Sequence, residues 1–134
     1  MTSNIYDETT RKIRVTVSPQ YLEEQSVPEE QYFVWSYHVN IENTGKETVQ
    51  LLNRHWRIAD SMGRVQEVNG EGVVGEQPVL SPGENFEYTS GAPLTTASGM
   101  MVGRYEMTTR DGETFWISVP AFSLDSPMDS PSIN

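Results

Sequence analysis

Gly70-Glu71-Gly72-Val73-Val74-Gly75 is a literal G-x-G-x-x-G. In dinucleotide-binding units such glycines let a strand turn tightly into a helix whose free amides hold a pyrophosphate. That chemistry requires a helix after the third glycine. Here Glu76-Gln77-Pro78 follows, then Ser81-Pro82-Gly83, and Pro78 falls where the first helical turn would run. Glu71 and Glu76 would also repel a polyphosphate. The dinucleotide reading fails on context. What survives is a glycine-rich loop whose amides at Gly70, Gly72, Val73 and Gly75 form a candidate anion-binding nest. The competing reading is a connection whose glycines supply positive φ and close backbone packing.

Arg54-His55-Trp56-Arg57 is the second cluster. On a strand, Arg54 and Trp56 point one way and His55 and Arg57 the other. Trp56 reads as core or interface, and Arg54 as a group that stacks on it or reaches a carboxylate or ligand anion. The chain has only two histidines, His38 and His55, on separate predicted strands, and they meet only if those strands pair. Neither has H-x-x-x-H spacing or a Ser–His–Asp order around it. There is no D-x-[DN]-x-[DN]-G loop for hard cations. The pairs Glu23-Glu24 and Glu29-Glu30 read as a solvated surface with weak attraction for divalent cations. No G-x-S-x-G elbow, P-loop or H-E-x-x-H occurs. The sequence therefore predicts no enzyme, no cofactor and no dedicated metal site.

Composition narrows the partners. Nine Lys and Arg stand against nineteen Asp and Glu, a net charge of −10, which argues against a basic nucleic-acid surface. The absence of cysteine removes disulfides, thiolate nucleophiles and thiolate-bound metals. No apolar run is long enough to span a membrane, and the first residues lack the basic start and apolar core of a signal peptide. A cytoplasmic protein without membrane insertion is expected.

The elements that must position these residues are strands, because the dominant period is two. Ile13-Arg14-Val15-Thr16-Val17 alternates. In Gln31–Asn43, Phe33, Trp35, Tyr37, Val39 and Ile41 fall on one face. Asn43-Thr44-Gly45-Lys46 reads as a turn, since Gly45 tolerates positive φ. In Glu47–Asp60, Val49 and Leu51 share one parity, while Leu52, Arg54, Trp56 and Ile58 share the other. Both sets cannot face inward without an inserted residue, which predicts a β-bulge near Leu51–Asn53. Arg64–Val68 returns as a short strand, Gly70–Gly83 is irregular, and Asn85–Ser90 alternates again. Gly91–Ser98 reads as a loop. Met101–Met107 and Thr114–Val119 flank Arg110-Asp111-Gly112-Glu113, a hairpin signal. Short strands with frequent turns and no helix predict an all-β antiparallel sandwich, a single domain over 1–124 with a flexible tail at 125–134.

Most aromatics fall at core positions, but Trp116 and Tyr32 take the opposite parity and should face outward. With Arg54 they make a candidate interaction surface, and edge pairing with a protein partner or a second copy in a homodimer is the natural use of such a sandwich.

Leu51–Ile58, Val68–Pro78, Leu80–Gly91, Gly99–Tyr105 and Val119–Phe122 together resemble the ApaG family, and the likeness runs from about Ile13 to Leu124. The resemblance implies a fibronectin-III- or immunoglobulin-like sandwich. It implies a stand-alone bacterial protein whose domain recurs as an interaction module in eukaryotic F-box proteins and in a DNA-polymerase-interacting protein. It also implies an indirect link to cobalt and magnesium resistance or efflux.

Overall fold

The computed structural model of the chain describes residues 4–128. Among them, nine strands run in order: β1 (Tyr6–Thr10), β2 (Ile13–Tyr21), β3 (Phe33–Asn43), β4 (Val49–Asp60), β5 (Val65–Glu71), β6 (Val79–Leu80), β7 (Asn85–Leu94), β8 (Gly99–Thr109) and β9 (Thr114–Leu124). One sheet has the order β1-β2-β3-β7, the other β5-β4-β8-β9, and β6 pairs with the start of β4. Every pairing is antiparallel. The chain is an all-β sandwich, as the period-two pattern predicts.

The alternating side chains of β3 enter the core as expected: Trp35, Tyr37, Val39 and Ile41 are buried against Leu51, Trp56, Tyr105 and Phe122 of the other sheet. Val34 has the opposite parity and is buried too. The acidic connection explains it. Leu22 N–H donates to Val34 O (2.8 Å) and Val34 N–H to Ser26 Oγ (2.9 Å), folding two short 3₁₀ turns over that end of the sheet.

The bulge lies where the parity conflict puts it. Pairing of β4 with β8 slips between Leu51 and Asn53, so Leu51 faces Met107 before the slip and Asn53 faces Glu106 after it. Both Leu51 and Trp56 are thereby buried. The Asp111-Gly112 hairpin forms with Gly112 at φ +89 and Thr109 N–H donating to Glu113 O (2.9 Å), a three-residue loop closed by a left-handed glycine.

The structure refines the sequence reading at three places. Gly45 stays outside the left-handed region; its N–H instead donates to Asn43 Oδ1 (3.0 Å), which sets the turn. Gly91–Leu94 is strand, not loop, because β3 is long enough to pair with it as far as Phe33↔Leu94. And a strand precedes Ile13: β1 pairs with β2 through a two-residue turn at Arg11 (φ 48) and Lys12 (φ 65). Lys12→Gly should raise stability by about 0.5 kcal/mol, since left-handed strain of about 1 kcal/mol is relieved and part is returned as unfolded-chain entropy. A urea midpoint that rises at unchanged slope is the expected result; a fall would show that Lys12 is held by contacts that outweigh its strain.

β1 closes one side of the sandwich against β9, with Tyr6 and Phe122 rings 6.2 Å apart and Ser118 N–H donating to Thr10 Oγ1 (3.2 Å). On the other side, β7 and β5 are the free edges of their sheets. Of the expected tail, Asp125 O accepts a bond from Trp35 Nε1 (2.7 Å) and Ser126 Oγ donates to Ala97 O (2.7 Å); residues 129–134 lie outside the described residues.

Candidate functional site

The open side is filled by Arg54 and the glycine-rich segment. The bulge at Leu51–Asn53 gives Arg54 the inward parity of Trp56, and its register partner on β5 is Gly70. A Cβ at Gly70 would lie 2.7 Å from Arg54 Cζ, so only glycine leaves room for the guanidinium in this rotamer. Arg54 Nη1 donates to Glu71 O (3.0 Å) and to Gly72 O (2.9 Å). Gly72 is at φ +63, and a Cβ there would lie 2.2 Å from Glu76 O. Val73 and Glu76 exchange two backbone bonds (2.8 and 2.9 Å) around Val74 (φ 44) and Gly75 (φ 81). That is a two-residue hairpin turn with both central residues left-handed. A β-branched residue there is strained.

Each glycine of the motif thus has a conformational role around one arginine. Gly72 N–H donates to Leu52 O (2.8 Å) and Val73 N–H to Glu76 O, so these amides are used within the protein. The carbonyls of Glu71 and Gly72 face a cation. No helix begins at Gly75, which Pro78 leads one to expect.

Beside Arg54 lies a cavity of about 140 Å³. Tyr37, Tyr88 and Ser90 wall it from the first sheet, Arg54 and Trp56 from the second, with Val73 and Val74 completing it. Tyr88 and Tyr105 hydroxyls share a short hydrogen bond (2.5 Å). Burial pushes the pKa of Tyr37, Tyr88 and Tyr105 above the usual phenolic value, and the nearby charge of Arg54 opposes this in all three. These raised values imply stability that is complete below about pH 10 and is lost as pH rises toward the folded values. Phenolate absorbance of these three should therefore appear together with unfolding. Its appearance in a chain that is still folded would contradict the burial.

The remaining sequence candidates lie elsewhere. Trp116 is on the outer face of the second sheet with Arg104 Cζ 4.2 Å from its ring centre. Tyr32 is exposed beside β3, held by a backbone bridge to Val27. Arg54, Trp116 and Tyr32 are thus not gathered into one surface. His38 and His55 do not meet either, because β3 and β4 belong to different sheets. His38 bonds Glu87 (2.7 Å) and His55 bonds Glu67 (2.9 Å). Among the described residues no three His, Asp or Glu side chains gather in a metal-ligating group, and no helix is long and apolar enough to cross a membrane. What sequence reasoning passed over is the tyrosine cluster, read as core by default. The available signal was several inward tyrosines whose hydroxyls need partners.

Comparison with known proteins places this arrangement. The family model described as the ApaG domain matches residues 23–109. The chain belongs to the ApaG family. The Protein ApaG of Rhodospirillum centenum is 68% identical over 123 residues, covering 92% of this chain and 95% of that one. The Protein ApaG of Paramagnetospirillum magneticum is 62% identical over 130 residues, covering 97% and 100%. Among solved structures, a putative ApaA protein from Bordetella pertussis superposes with a TM-score of 0.82 at 45% identity, covering 93% of this chain and 95% of that one. The ApaG likeness therefore extends over nearly the whole sandwich, including the Arg54 hairpin.

Proposed function

We propose that this ApaG-family chain is a non-catalytic binding module for a protein partner, and that its contact surface is the outer face of the β5-β4-β8-β9 sheet. The observation that carries the reading is an asymmetry between the two outer faces. On the second sheet, Val65, Met100, Val102 and Trp116 are 47%, 52%, 41% and 39% exposed. The register aligns them: Ala59 pairs with both Val65 and Met100, Arg57 with Val102, and Glu106 with Trp116. Arg57 and Arg104 sit among them. Exposed aliphatic and aromatic side chains with arginine are the composition of an interface. The first sheet presents Arg14, Thr16, Ser36, His38, Asn40 and Thr89 on its outer face, a solvated surface.

Two outward variants on the second sheet, Val102→Glu and Trp116→Ala, test it against Ser36→Glu on the first. Proteins captured by the wild type and by Ser36→Glu should be lost or weakened roughly 30-fold with the first two, in keeping with an aromatic anchor worth about 2 kcal/mol. Sedimentation of the same set tells a second copy from a different partner. Capture and sedimentation unchanged by Val102→Glu and Trp116→Ala would sink the reading. On this reading the cobalt and magnesium link is indirect, exerted through the partner.

A further inference from the structure

Arg54 is half-buried between the sheets, and no carboxylate lies within ion-pair distance of it among the described residues. Arg11, Arg14 and Arg64 are each paired, with Glu113, Asp7 and Asp60. In an acidic chain a half-buried cation left without a counter-ion is unusual, because a charge withdrawn from water is normally compensated. Its Nη1 is committed to the carbonyls of Glu71 and Gly72. The Nε–Nη2 edge has no protein acceptor among the described residues. That edge is the one Arg14 turns toward Asp7, with Nε (2.9 Å) and Nη2 (2.8 Å) both on Oδ2. It matches the two oxygens of a carboxylate.

The cavity beside it is about 140 Å³, below the several hundred Å³ of sites for nucleotide-sized ligands. Tyr37, Tyr88 and Ser90 bring hydroxyl-bearing side chains to its wall from the facing sheet, the Tyr88 hydroxyl being shared with Tyr105, and Trp56 and Val73 supply apolar wall. One cation and neutral donors suit a monoanion better than a dianion, whose second charge would stay uncompensated.

We infer that the Arg54 cavity is a binding site for a single carboxylate group, held by the Nε–Nη2 edge of Arg54 and by hydroxyls from the facing sheet. The site is built by the glycine motif, but through its carbonyls and its missing side chains rather than through its amides. It lies between the sheets and does not depend on the outer-face reading, so either can fail alone.

The test is a titration of ¹⁵N-labelled protein at constant ionic strength, following the Arg54 Nε–H and the Val73 and Val74 amides. The probes are sodium acetate, inorganic phosphate, a capped Gly-Glu-Gly peptide and an acetylated triglycine with a free C-terminus. Saturable shifts with acetate in roughly the millimolar range are expected for so small a ligand. They should vanish in Arg54→Gln, weaken several-fold in Tyr37→Phe, and persist in Arg110→Gln. Tyr37→Phe leaves Arg54 and its hairpin bonds in place, so it reads the site even if Arg54→Gln loosens the hairpin. Tighter saturation by either peptide than by acetate would identify a side-chain or chain-terminal carboxylate as the source. Linear drifts equal to those of sodium chloride, saturation unchanged by Arg54→Gln and Tyr37→Phe, or phosphate saturating more tightly than acetate would each overturn the assignment.

Discussion

Trp56→Ala is expected to lower stability by about 3–5 kcal/mol, the range for removing a buried indole. The ring lies where the two sheets meet. It contacts Tyr37 edge-on at 5.4 Å between centroids, Tyr105 at 6.3 Å and Phe122 at 5.9 Å. Its own sheet is shaped around it: a Cβ at Gly103, its register partner on β8, would lie 2.6 Å from Trp56 Cε3. Removing the indole therefore empties a space walled by rigid rings and backbone that cannot collapse into it. Domains of this size are stable by about 5–15 kcal/mol, so the variant should be marginal and is best measured by urea unfolding at low temperature. Trp35 and Trp116 remain as fluorescent reporters. A loss below about 1 kcal/mol would mean that Trp56 is not the keystone its contacts indicate.

Gly72→Ala should cost about 2–4 kcal/mol, combining overpacking with left-handed strain. The new Cβ would meet a backbone carbonyl, Glu76 O, at 2.2 Å, with φ at +63. Neither can yield without opening the bridge between Val73 and Glu76 and withdrawing a carbonyl from Arg54. Gly75→Ala is the informative contrast. It has positive φ but open space around the added carbon, so only strain of about 1 kcal/mol is expected. The ratio matters more than either value. If Gly75→Ala proved the more damaging, the hairpin would not be the support for Arg54 described above, and the glycines would need another explanation.

Local patterns carried much of the fold. The alternation in β3, the Asp-Gly hairpin and the parity conflict in β4 are each decided within a dozen residues, because inward and outward positions differ by one backbone step. The conflict at Leu51–Asn53 was legible for that reason: two apolar sets of opposite parity in one strand leave a bulge as the economical solution. β1 was not legible, since Tyr6-Asp7-Glu8-Thr9-Thr10 carries little apolar alternation and its turn uses Arg11 and Lys12 rather than glycine or asparagine. What holds that turn is tertiary. Arg11 bonds Glu113 (3.0 Å) and lies 4.0 Å over the ring of Phe115, on a hairpin a hundred residues away.

By itself the sequence determined a β-sandwich of the ApaG family, the place of its bulge, and the impossibility of a helix behind the glycine motif. Those are consequences of alternation, of proline's fixed φ and of covalent order. Only the tertiary structure decided that Gly70 and Gly72 serve Arg54, that His38 and His55 lie on different sheets, and that Val65, Met100, Val102 and Trp116 are exposed together on one outer face. Each of these depends on which strands become neighbours, and that is settled by packing between segments that share no local pattern.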